Sequence, residues 1–254
     1  MSAAGYYETG GALSDYLLFH YGTPAQVLPW PFGPASALEY PARCVSECLE
    51  LARLPAAARA LDLGCAVGRS TFELARHCLE VIGVDNSHRF IEVARQLQQQ
   101  GSIGYSYAEE GLLTSPATAR VPAEIDRGRV RFETGDAQEL RSELGTFDVV
   151  LMANLVDRLP DPRRCLKALP ALVRPGGQLI LTTPCTWLED YTPRSQWLGG
   201  FGENGRPTRT LETLQAILEP YFEPSRTFDL PFLIREHRSK FQWSVALGTV
   251  WIRR

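Results

Sequence analysis

The stretch at residues 60–68 constrains the fold of this chain more than any other. It reads Ala-Leu-Asp-Leu-Gly-Cys-Ala-Val-Gly, an apolar run that reaches an acid and then enters a glycine-punctuated turn. Residues 70–76 follow with apolar side chains at helical spacing. Glycine adopts backbone conformations that a Cβ blocks, and loops of this kind before a helix bind nucleotides. We therefore predict a strand, a tight loop and a helix at the ligand site of an α/β domain.

A second acid marks the end of the next apolar run. Residues 79–84 are largely apolar, and Asp85 follows them about twenty residues after the first glycine of the loop, a spacing at which an acid suits the hydroxyls of a ribose. A dinucleotide-binding loop would have glycine at the positions of Ala66 and Arg69, where this chain has none. The loop therefore speaks against a nicotinamide-dependent oxidoreductase.

The rest of the chain alternates between helical and strand patterns, as a mostly parallel sheet with covering helices requires. The last two strand patterns lie close in sequence and predict an antiparallel hairpin. We expect one α/β domain over residues 1–254, with a seven-stranded sheet, an aromatic N-terminal segment at 1–34 that acts as a lid, and an inserted hairpin at 102–127. The predicted helices cover residues 35–53, 70–76, 87–100, 160–173 and 211–221, and the later strands cover 129–133, 147–154, 178–184, 228–234 and 241–251.

Polar side chains follow the third and fourth predicted strands. Asp136 comes directly after the third strand, and Asn154 ends the fourth. Ligands of open parallel sheets bind at the carboxyl ends of the strands. We therefore expect Asp136 and Asn154 to face a ligand, with Asn154 placed for contacts to a substrate.

The composition argues against several classes of function. The net charge is −3, and only Lys167 and Lys240 among the 26 basic residues are lysines, so no broad basic surface attracts nucleic acid. No apolar run approaches the roughly 18 residues of a membrane span, and the N-terminus has no leader pattern. The six cysteines form no CxxC pair. We expect a cytoplasmic protein with reduced thiols, no metal site and no membrane contact.

The glycine loop resembles motif I of class I methyltransferases, which have a Rossmann-like fold and bind S-adenosylmethionine (SAM). The succession of a helix, Arg-Pro-Gly-Gly and a strand at residues 165–184 is similar to the late core of the same family. The resemblance implies SAM as cofactor, S-adenosylhomocysteine as its product, a ribose contact from Asp85 and an adenine contact from Asp136. The cofactor-binding residues that it implies are Asp62, Gly64, Cys65, Ala66, Gly68, Asp85, Asn86, Asp136, Ala137 and Asn154.

Other stretches resemble a narrower family, the C-terminal methyltransferase domain of ovothiol synthases. The similar residues are 16–22, 61–68, 153–159, 197–201 and 238–242. This resemblance implies N-methylation of the imidazole of a small histidine derivative, either 5-thiohistidine or its selenium analogue. The chain has no counterpart of the iron-dependent sulfoxide synthase that usually precedes this domain. We therefore expect a separate sulfoxide or selenoxide synthase upstream in the pathway.

Such a substrate makes definite demands on the site. Its α-carboxylate requires Arg or Lys, and its imidazole and amine require acceptors such as Asn or Tyr. Lys240 lies in the predicted turn between the last two strands, and we expect it to hold the carboxylate. His20 and Asn154 are the candidate catalytic residues, because a histidine pKa near neutrality suits proton transfer. The candidate substrate contacts are Tyr7, Tyr21, Asn154, Arg158, Trp187, Arg238 and Lys240.

Three other functions stay open on the sequence alone. The chain would fit a SAM-dependent methyltransferase of another small molecule, or a SAM-binding module without catalysis. A nucleic-acid methyltransferase is the third, and the acidic balance disfavours it. Formation of S-adenosylhomocysteine with a thiohistidine-like substrate separates the catalytic hypothesis from the binding module.

Overall fold

The computed structural model describes residues 7–203 and 205–254. Helices and strands alternate through most of this range. The helices are α1 (Gly10–Tyr21), α2 (Pro24–Val27), α3 (Tyr40–Ser46), α4 (Arg69–Leu74), α5 (His88–Gln100), α6 (Pro162–Leu172) and α7 (Thr210–Leu218). The strands are β1 (Arg59–Leu63), β2 (Glu80–Asp85), β3 (Ser102–Glu110), β4 (Leu113–Arg120), β5 (Val130–Thr134), β6 (Phe147–Ala153), β7 (Val173–Thr183), β8 (Phe201–Glu203), β9 (Arg206–Thr208), β10 (Phe222–His237) and β11 (Lys240–Arg253).

Seven of the strands form one sheet, in the order β10-β11-β7-β6-β1-β2-β5. Neighbours from β5 to β7 pair in parallel, whereas β11 runs antiparallel to both β7 and β10. The predicted seven-stranded, mostly parallel Rossmann-like sheet with an antiparallel C-terminal hairpin is confirmed. Because β1 lies in the middle of the five parallel strands β7-β6-β1-β2-β5, the glycine loop that follows it opens at the centre of their carboxyl edge.

The central strands are largely apolar and buried because helices cover both faces of the sheet. Every residue of β6 except Ala153 is buried. Successive side chains point to opposite faces, so Val149 and Leu151 pack in one core cluster while Val150 and Met152 pack in the other. This two-sided core holds the carboxyl ends of the strands in fixed positions.

The predicted helix over residues 35–53 is wrong in extent. Only α3 is α-helical, and single 3₁₀ turns flank it at Ala35–Ala37 and Leu51–Arg53. Glu39 adopts a left-handed conformation with φ +55°, which interrupts any helix that reaches it. Pro41 has no N–H and therefore fits only the first turn of α3.

The described chain has three antiparallel strand pairs: β3 with β4 and β8 with β9 form separate two-stranded sheets, and β10 with β11 forms one edge of the main sheet. The inserted hairpin is confirmed as β3 and β4, which pair antiparallel from Ser102 to Arg120. The C-terminal hairpin is longer than predicted, because its pairing continues to His237 and Lys240 and leaves Arg238 and Ser239 as the turn. Lys240 therefore begins a strand instead of lying within a six-residue loop.

Boundaries elsewhere differ from the prediction by a few residues. Helix α5 has the predicted extent, with the Ser87 hydroxyl accepting from the Phe90 N–H and Gly101 ending it in a left-handed conformation. Helix α7 ends at Leu218, three residues earlier than predicted. Within the described ranges, no helix combines the length and apolarity needed to cross a membrane.

Candidate active site

A cavity of about 260 Å³ lies at the carboxyl edge of the sheet. Loops after β1, β2, β5 and β6 form one side, and the N-terminal segment with α1 and α3 forms the other. Seven of the ten residues predicted to bind the cofactor line this cavity. These are Gly64, Ala66, Asp85, Asn86, Asp136, Ala137 and Asn154.

The glycine loop reaches the cavity through its backbone. Gly64 has φ +75°, and a Cβ at this position would lie 2.9 Å from Cδ1 of Leu155. Ala66 also has a positive φ, of +47°, and its N–H donates to Oδ2 of Asp85 at 2.9 Å. The loop therefore exposes main-chain atoms to a ligand, and Asp85 holds it in that shape.

The Asp85 carboxylate stands at the cavity with both oxygens already oriented. Oδ2 accepts from Ala66, and Oδ1 accepts from the Ser87 N–H at 2.9 Å. Burial raises the pKa of Asp85, and the two backbone donors oppose that rise. Because each carboxylate oxygen can accept a further hydrogen bond, Asp85 is equipped to bind two hydroxyls.

Asp136 stabilises a turn and also lines the cavity. Its Oδ1 accepts from the Gln138 N–H at 2.8 Å, which closes a turn directly after β5. Asp136 and Ala137 both line the cavity next to Gly135. The turn fixes the Asp136 carboxylate at the cavity, and its contact with an adenine amino group stays a prediction.

The other three predicted cofactor residues support the loop from behind and do not line the cavity. Oδ2 of Asp62 accepts from the hydroxyls of Ser70 and Thr71, both at 2.7 Å. Burial raises the pKa of Asp62 to about 6, and its Oδ1 has no hydrogen-bond partner among the described residues. Cys65 is buried, and Gly68 begins α4 with φ +87°.

Aromatic rings form the opposite wall. Tyr7, Tyr16 and Phe19 line the cavity together with His20. The rings of Tyr16 and Phe90 are 4.8 Å apart. The four aromatic groups come from residues 7–20, and their rings are steeply inclined to one another, by 87° for Tyr7 and Tyr16 and by 74° for Phe19 and His20. The remaining aromatic residues of the lining are Tyr40, Phe90 and Phe232.

His20 lines the cavity as predicted, but its environment keeps it neutral. Burial and, to a smaller extent, the Arg69 charge lower the pKa of His20 to about 3. Its Nδ1 is buried without a partner in the described part of the chain. Tyr21, by contrast, lies outside the lining and donates to the Val67 carbonyl at 2.8 Å. Tyr21 thus ties α1 to the glycine loop.

Asn154 belongs to a hydrogen-bonded group that the sequence did not indicate. The Tyr40 hydroxyl donates to Asn154 Oδ1 at 2.7 Å and lies 2.7 Å from the Thr182 hydroxyl. Tyr40 also lines the cavity. A tyrosine next to Pro41 in a helical pattern carries no functional signal, so only the approach of α3 to the ends of β6 and β7 identifies it.

Arg158 is a cation at the cavity lining. Its Nη1 donates to the Asp157 carbonyl at 2.9 Å, to the Thr186 carbonyl at 2.9 Å and to the buried Asp157 carboxylate at 3.1 Å, with which Arg158 forms an ion pair. Its guanidinium lies 4.8 Å from the centre of the Tyr191 ring. Nε and Nη2 donate to no described residue, so Arg158 keeps donors for a ligand.

The structure does not bring Trp187, Arg238 or Lys240 to the cavity. Trp187 is buried and donates to the Thr210 hydroxyl at 2.9 Å. Arg238 stands at the tip of the C-terminal hairpin with its guanidinium 5.2 Å from the Trp30 ring centre. Lys240 is exposed and pairs with Glu236 at 2.5 Å. Arg158 alone of the three predicted cations, Arg158, Arg238 and Lys240, lines the cavity.

The lining fits SAM chemically. Asp85 offers acceptors for two ribose hydroxyls and Asp136 an acceptor for an exocyclic amine, while Gly64 leaves room for close approach of a ligand. The described residues contain no cluster of three or more His, Cys, Asp or Glu side chains that would hold a metal ion.

Comparisons with known proteins agree with this chemistry. Residues 61–181 match the family described as "Methyltransferase domain". A ubiquinone biosynthesis O-methyltransferase of Coxiella burnetii is 33% identical over 125 residues, which are 48% of this chain and 42% of that protein. The chain thus spans less than half the length of the curated relatives it matches. Residues 61–181 are therefore similar to methyltransferase domains.

Solved structures share the fold. A SAM-dependent methyltransferase from Methanosarcina mazei has a TM-score of 0.52 and 20% identity, covering 80% of this chain and 95% of that one. A magnesium protoporphyrin IX methyltransferase from Synechocystis PCC 6803 with bound SAM has a TM-score of 0.50 and 19% identity, covering 84% and 76%. At 20% and 19% sequence identity, these similarities show a shared fold and nothing further.

Proposed function

We propose that this chain uses SAM to methylate an imidazole nitrogen of a small histidine derivative, 5-thiohistidine or its selenium analogue. One observation carries the proposal. A single cavity brings the cofactor residues of the glycine loop together with a wall of aromatic rings, Asn154 and Arg158. A flat aromatic ring with an anionic end matches these walls better than a long or bulky substrate does.

SAM, when bound, supplies a methyl group on a sulfonium centre that is already strongly electrophilic. In this chain, Asp85 would hold the ribose and Asp136 the adenine, next to the backbone of Gly64 and Ala66. These groups are ordered by hydrogen bonds within the protein. Holding the reactants in line is therefore the main task of the site.

The aromatic wall would orient the imidazole. Tyr16 and Phe19 present ring faces and edges to the cavity, and a five-membered aromatic ring packs favourably against either. Asn154 at the end of β6 adds a polar contact. The substrate ring would then be held in one plane, which methylation of one particular ring nitrogen requires.

Arg158 would hold the α-carboxylate, in place of Lys240. A guanidinium with free Nε and Nη2 donors forms paired hydrogen bonds with a carboxylate, and Tyr191 supports it from one side. Lys240 is exposed, and its ammonium already pairs with Glu236. The lining therefore favours Arg158 for this role.

The reaction needs no general base. The ring nitrogen with a free lone pair forms the new N–CH₃ bond while the sulfonium carbon–sulfur bond breaks, and its electron pair stays on sulfur as the thioether of S-adenosylhomocysteine. The other ring nitrogen keeps its proton, so the product is an imidazolium with an anionic chalcogen. His20, with a pKa of about 3, is neutral at pH 7 and too weak a base for the role first expected of it.

The relatives favour a second candidate, methylation of a phenolic oxygen. The curated proteins that this chain matches are named O-methyltransferases of ubiquinone biosynthesis. An aromatic wall would also accept a phenol. For the imidazole substrate, we propose that a separate synthase attaches the sulfur or selenium to the ring before this chain methylates it.

Mass spectrometry of paired incubations tests the proposal. The protein and SAM are incubated with 5-thiohistidine, 5-selenohistidine, histidine or a catechol. We expect one added methyl on a ring nitrogen of the chalcogen-bearing imidazoles, with one S-adenosylhomocysteine formed for each. Methylation of the catechol alone would establish the second candidate instead.

Two matched variants test the carboxylate contact. Arg158→Met should raise the KM for 5-thiohistidine about tenfold or more, as the loss of a charge-assisted bond worth about 1.5–3 kcal/mol implies. Lys240→Met removes a cation outside the cavity and should leave KM unchanged. If KM rises in Lys240→Met but not in Arg158→Met, the substrate carboxylate binds at the C-terminal hairpin and not at Arg158.

A further inference from the structure

Three side chains from separate elements meet where β6 and β7 end. Tyr40 comes from α3, Asn154 follows β6 and Thr182 lies in β7. Tyr40 and Thr182 are buried, with 2% and 0% of their surface exposed. The Tyr40 hydroxyl is 2.7 Å from both Asn154 Oδ1 and Thr182 Oγ1, and Thr182 Oγ1 is 3.2 Å from Asn154 Oδ1.

These contacts determine which way the Asn154 amide faces. Oδ1 accepts from the Tyr40 hydroxyl at 2.7 Å, and the Thr182 hydroxyl, which lies 2.7 Å from the Tyr40 oxygen and 3.2 Å from Oδ1, donates its single proton to one of these two oxygens. In the structure, Oδ1 faces Tyr40 and Thr182, and Nδ2 therefore lies on the other side of the amide.

The backbone of Asn154 is held as firmly as its side chain. Its φ of +53° lies in the left-handed region, which asparagine tolerates better than most residues. The Asn154 N–H donates to the Thr182 carbonyl at 2.9 Å. Asn154 lines the cavity, and no described residue accepts a hydrogen bond from Nδ2. The site thus offers the substrate a fixed N–H donor at this point.

We infer that Nδ2 of Asn154 donates to the anionic sulfur or selenium of the substrate, and that Tyr40 is the positioning residue that fixes this donor. The inference rests on the proposed function. A deprotonated chalcogen is an acceptor, and it is also the strongest nucleophile on the ring. A hydrogen bond to it engages a lone pair and holds the atom away from the methyl group. The methyl group is thereby directed to a ring nitrogen.

The inference explains a choice that aromatic packing alone leaves open. Rings stacked on a planar substrate hold its plane but permit rotation within that plane, so nitrogen and chalcogen could exchange places. A single directional donor removes this freedom. The product expected in wild type carries its methyl on nitrogen, with the chalcogen still anionic and the second ring nitrogen still protonated.

Tyr40→Phe tests the positioning role. Phenylalanine keeps the packing against Phe232, whose ring centre is 4.9 Å away, and removes only the hydroxyl. We expect the ratio of S-methyl to N-methyl product from 5-thiohistidine to rise about tenfold or more, equivalent to about 1.4 kcal/mol between the two transition states. Tandem mass spectrometry separates the isomers. SAM affinity, measured by calorimetry, should not change.

Two further variants show whether a changed product ratio results from the lost hydrogen bond or from misfolding of a single variant. Thr182→Val removes the second hydroxyl with little change of shape and should shift the product ratio in the same direction. Tyr221→Phe is the matched control, because Tyr221 is an exposed tyrosine, with 47% of its surface accessible. This control should retain the wild-type ratio. Unchanged ratios in both Tyr40→Phe and Thr182→Val would overturn the inference.

A binding measurement separates this inference from the proposed function. With S-adenosylhomocysteine bound, wild type should bind 5-thiohistidine about tenfold more tightly than histidine, as a charge-assisted hydrogen bond implies. Asn154→Asp replaces the donor by an acceptor and should abolish that preference. Equal binding of the two imidazoles by wild type contradicts the inference even if both are methylated. Absence of any methylated imidazole contradicts the proposed function.

Discussion

At the scale of single residues, the carboxylates of the glycine-loop region divide into two roles. Asp85 lines the cavity, whereas Asp62 lies behind the loop and accepts from Ser70 and Thr71. Both follow the same rule of sequence, an acid at the end of an apolar strand. Their different surroundings predict different experimental behaviour.

Asp85→Asn should weaken SAM binding. The amide keeps the size of the side chain but loses the charge and one acceptor, so about 1.5–3 kcal/mol of binding free energy should disappear. Isothermal titration calorimetry measures this directly. Asp229→Asn removes an exposed carboxylate of β10 and serves as the charge control. SAM affinity equal to wild type in Asp85→Asn would refute the ribose contact.

Asp62 should make stability depend on pH. Burial raises its pKa from 3.8 to about 6. The native state therefore binds a proton that the unfolded state has lost, and stability falls as pH rises from about 4 to about 6, by at most about 3 kcal/mol.

Asp62→Asn removes this titration. Urea unfolding at about pH 4.5 and about pH 7 should show a loss of stability in wild type that the variant lacks. The difference between the two proteins isolates the Asp62 contribution, because other titrating groups are common to both. Parallel pH profiles for wild type and variant would show that Asp62 is not the source.

At the scale of elements, the turn between β1 and α4 depends on Gly68. Its φ is +87°, and a Cβ there would lie 2.5 Å from the Phe132 ring. Gly176 has a similar φ of +78° but has no atom within 4 Å of an added Cβ. The two glycines therefore separate backbone strain from steric overlap.

Gly68→Ala should destabilise the protein more than Gly176→Ala. Gly176→Ala introduces only left-handed strain, worth about 1–2 kcal/mol. Gly68→Ala adds overpacking against Phe132, worth about 1–3 kcal/mol more. Urea unfolding of the two variants and wild type measures both terms. Equal losses would mean that Phe132 moves aside at no cost.

The N-terminal helix is an element with two functions. Tyr16 and Phe19 face the cavity, while Leu17 and Leu18 are buried in the protein core with 2% and 3% exposure. A deletion of this segment would therefore remove core packing along with the cavity wall. The role of residues 1–34 as a lid stays a prediction, and single substitutions on the cavity face test it more cleanly.

At the scale of the whole molecule, Arg235 joins three parts of the chain that lie far apart in sequence. From β10, its Nη2 donates to Glu109 of the inserted hairpin at 2.5 Å, and its Nη1 donates to the Gln26 carbonyl of α2 at 2.5 Å. Its guanidinium also lies 5.0 Å from the centre of the Tyr107 ring. The side chain is only 1% exposed.

Arg235→Met should loosen the inserted hairpin and the N-terminal segment together. The loss of charge-assisted hydrogen bonds implies a destabilisation of about 1.5–3 kcal/mol, and hydrogen exchange in residues 102–120 should speed up. Lys240→Met is the matched control, because its exposed ion pair with Glu236 is worth at most about 1 kcal/mol. Similar losses of stability for the two variants would contradict the joining role.

The sequence by itself determined the sheet and the cofactor side of the cavity. Apolar runs that end in Asp62, Asp85 and Asn154 predict buried parallel strands, and the ends of such strands must meet at one edge. Glycine at 64 and 68 signals positive φ. Periodicity and turn chemistry are local properties, which is why the sequence predicts the buried strands and the glycine loop, and why seven of the ten residues predicted to bind the cofactor line the cavity.

Only the tertiary structure decided the substrate side. Tyr40 lines the cavity because α3 packs over the ends of β6 and β7, which brings its hydroxyl to Asn154, a residue more than a hundred positions away. The rarity of lysine in this chain led to the prediction that Lys240 holds the substrate carboxylate. The long hairpin leaves the Lys240 side chain exposed, and Arg158 lines the cavity instead. The sequence names the residues that titrate and donate, but packing between distant elements sets which of them share a cavity and how their polar atoms face.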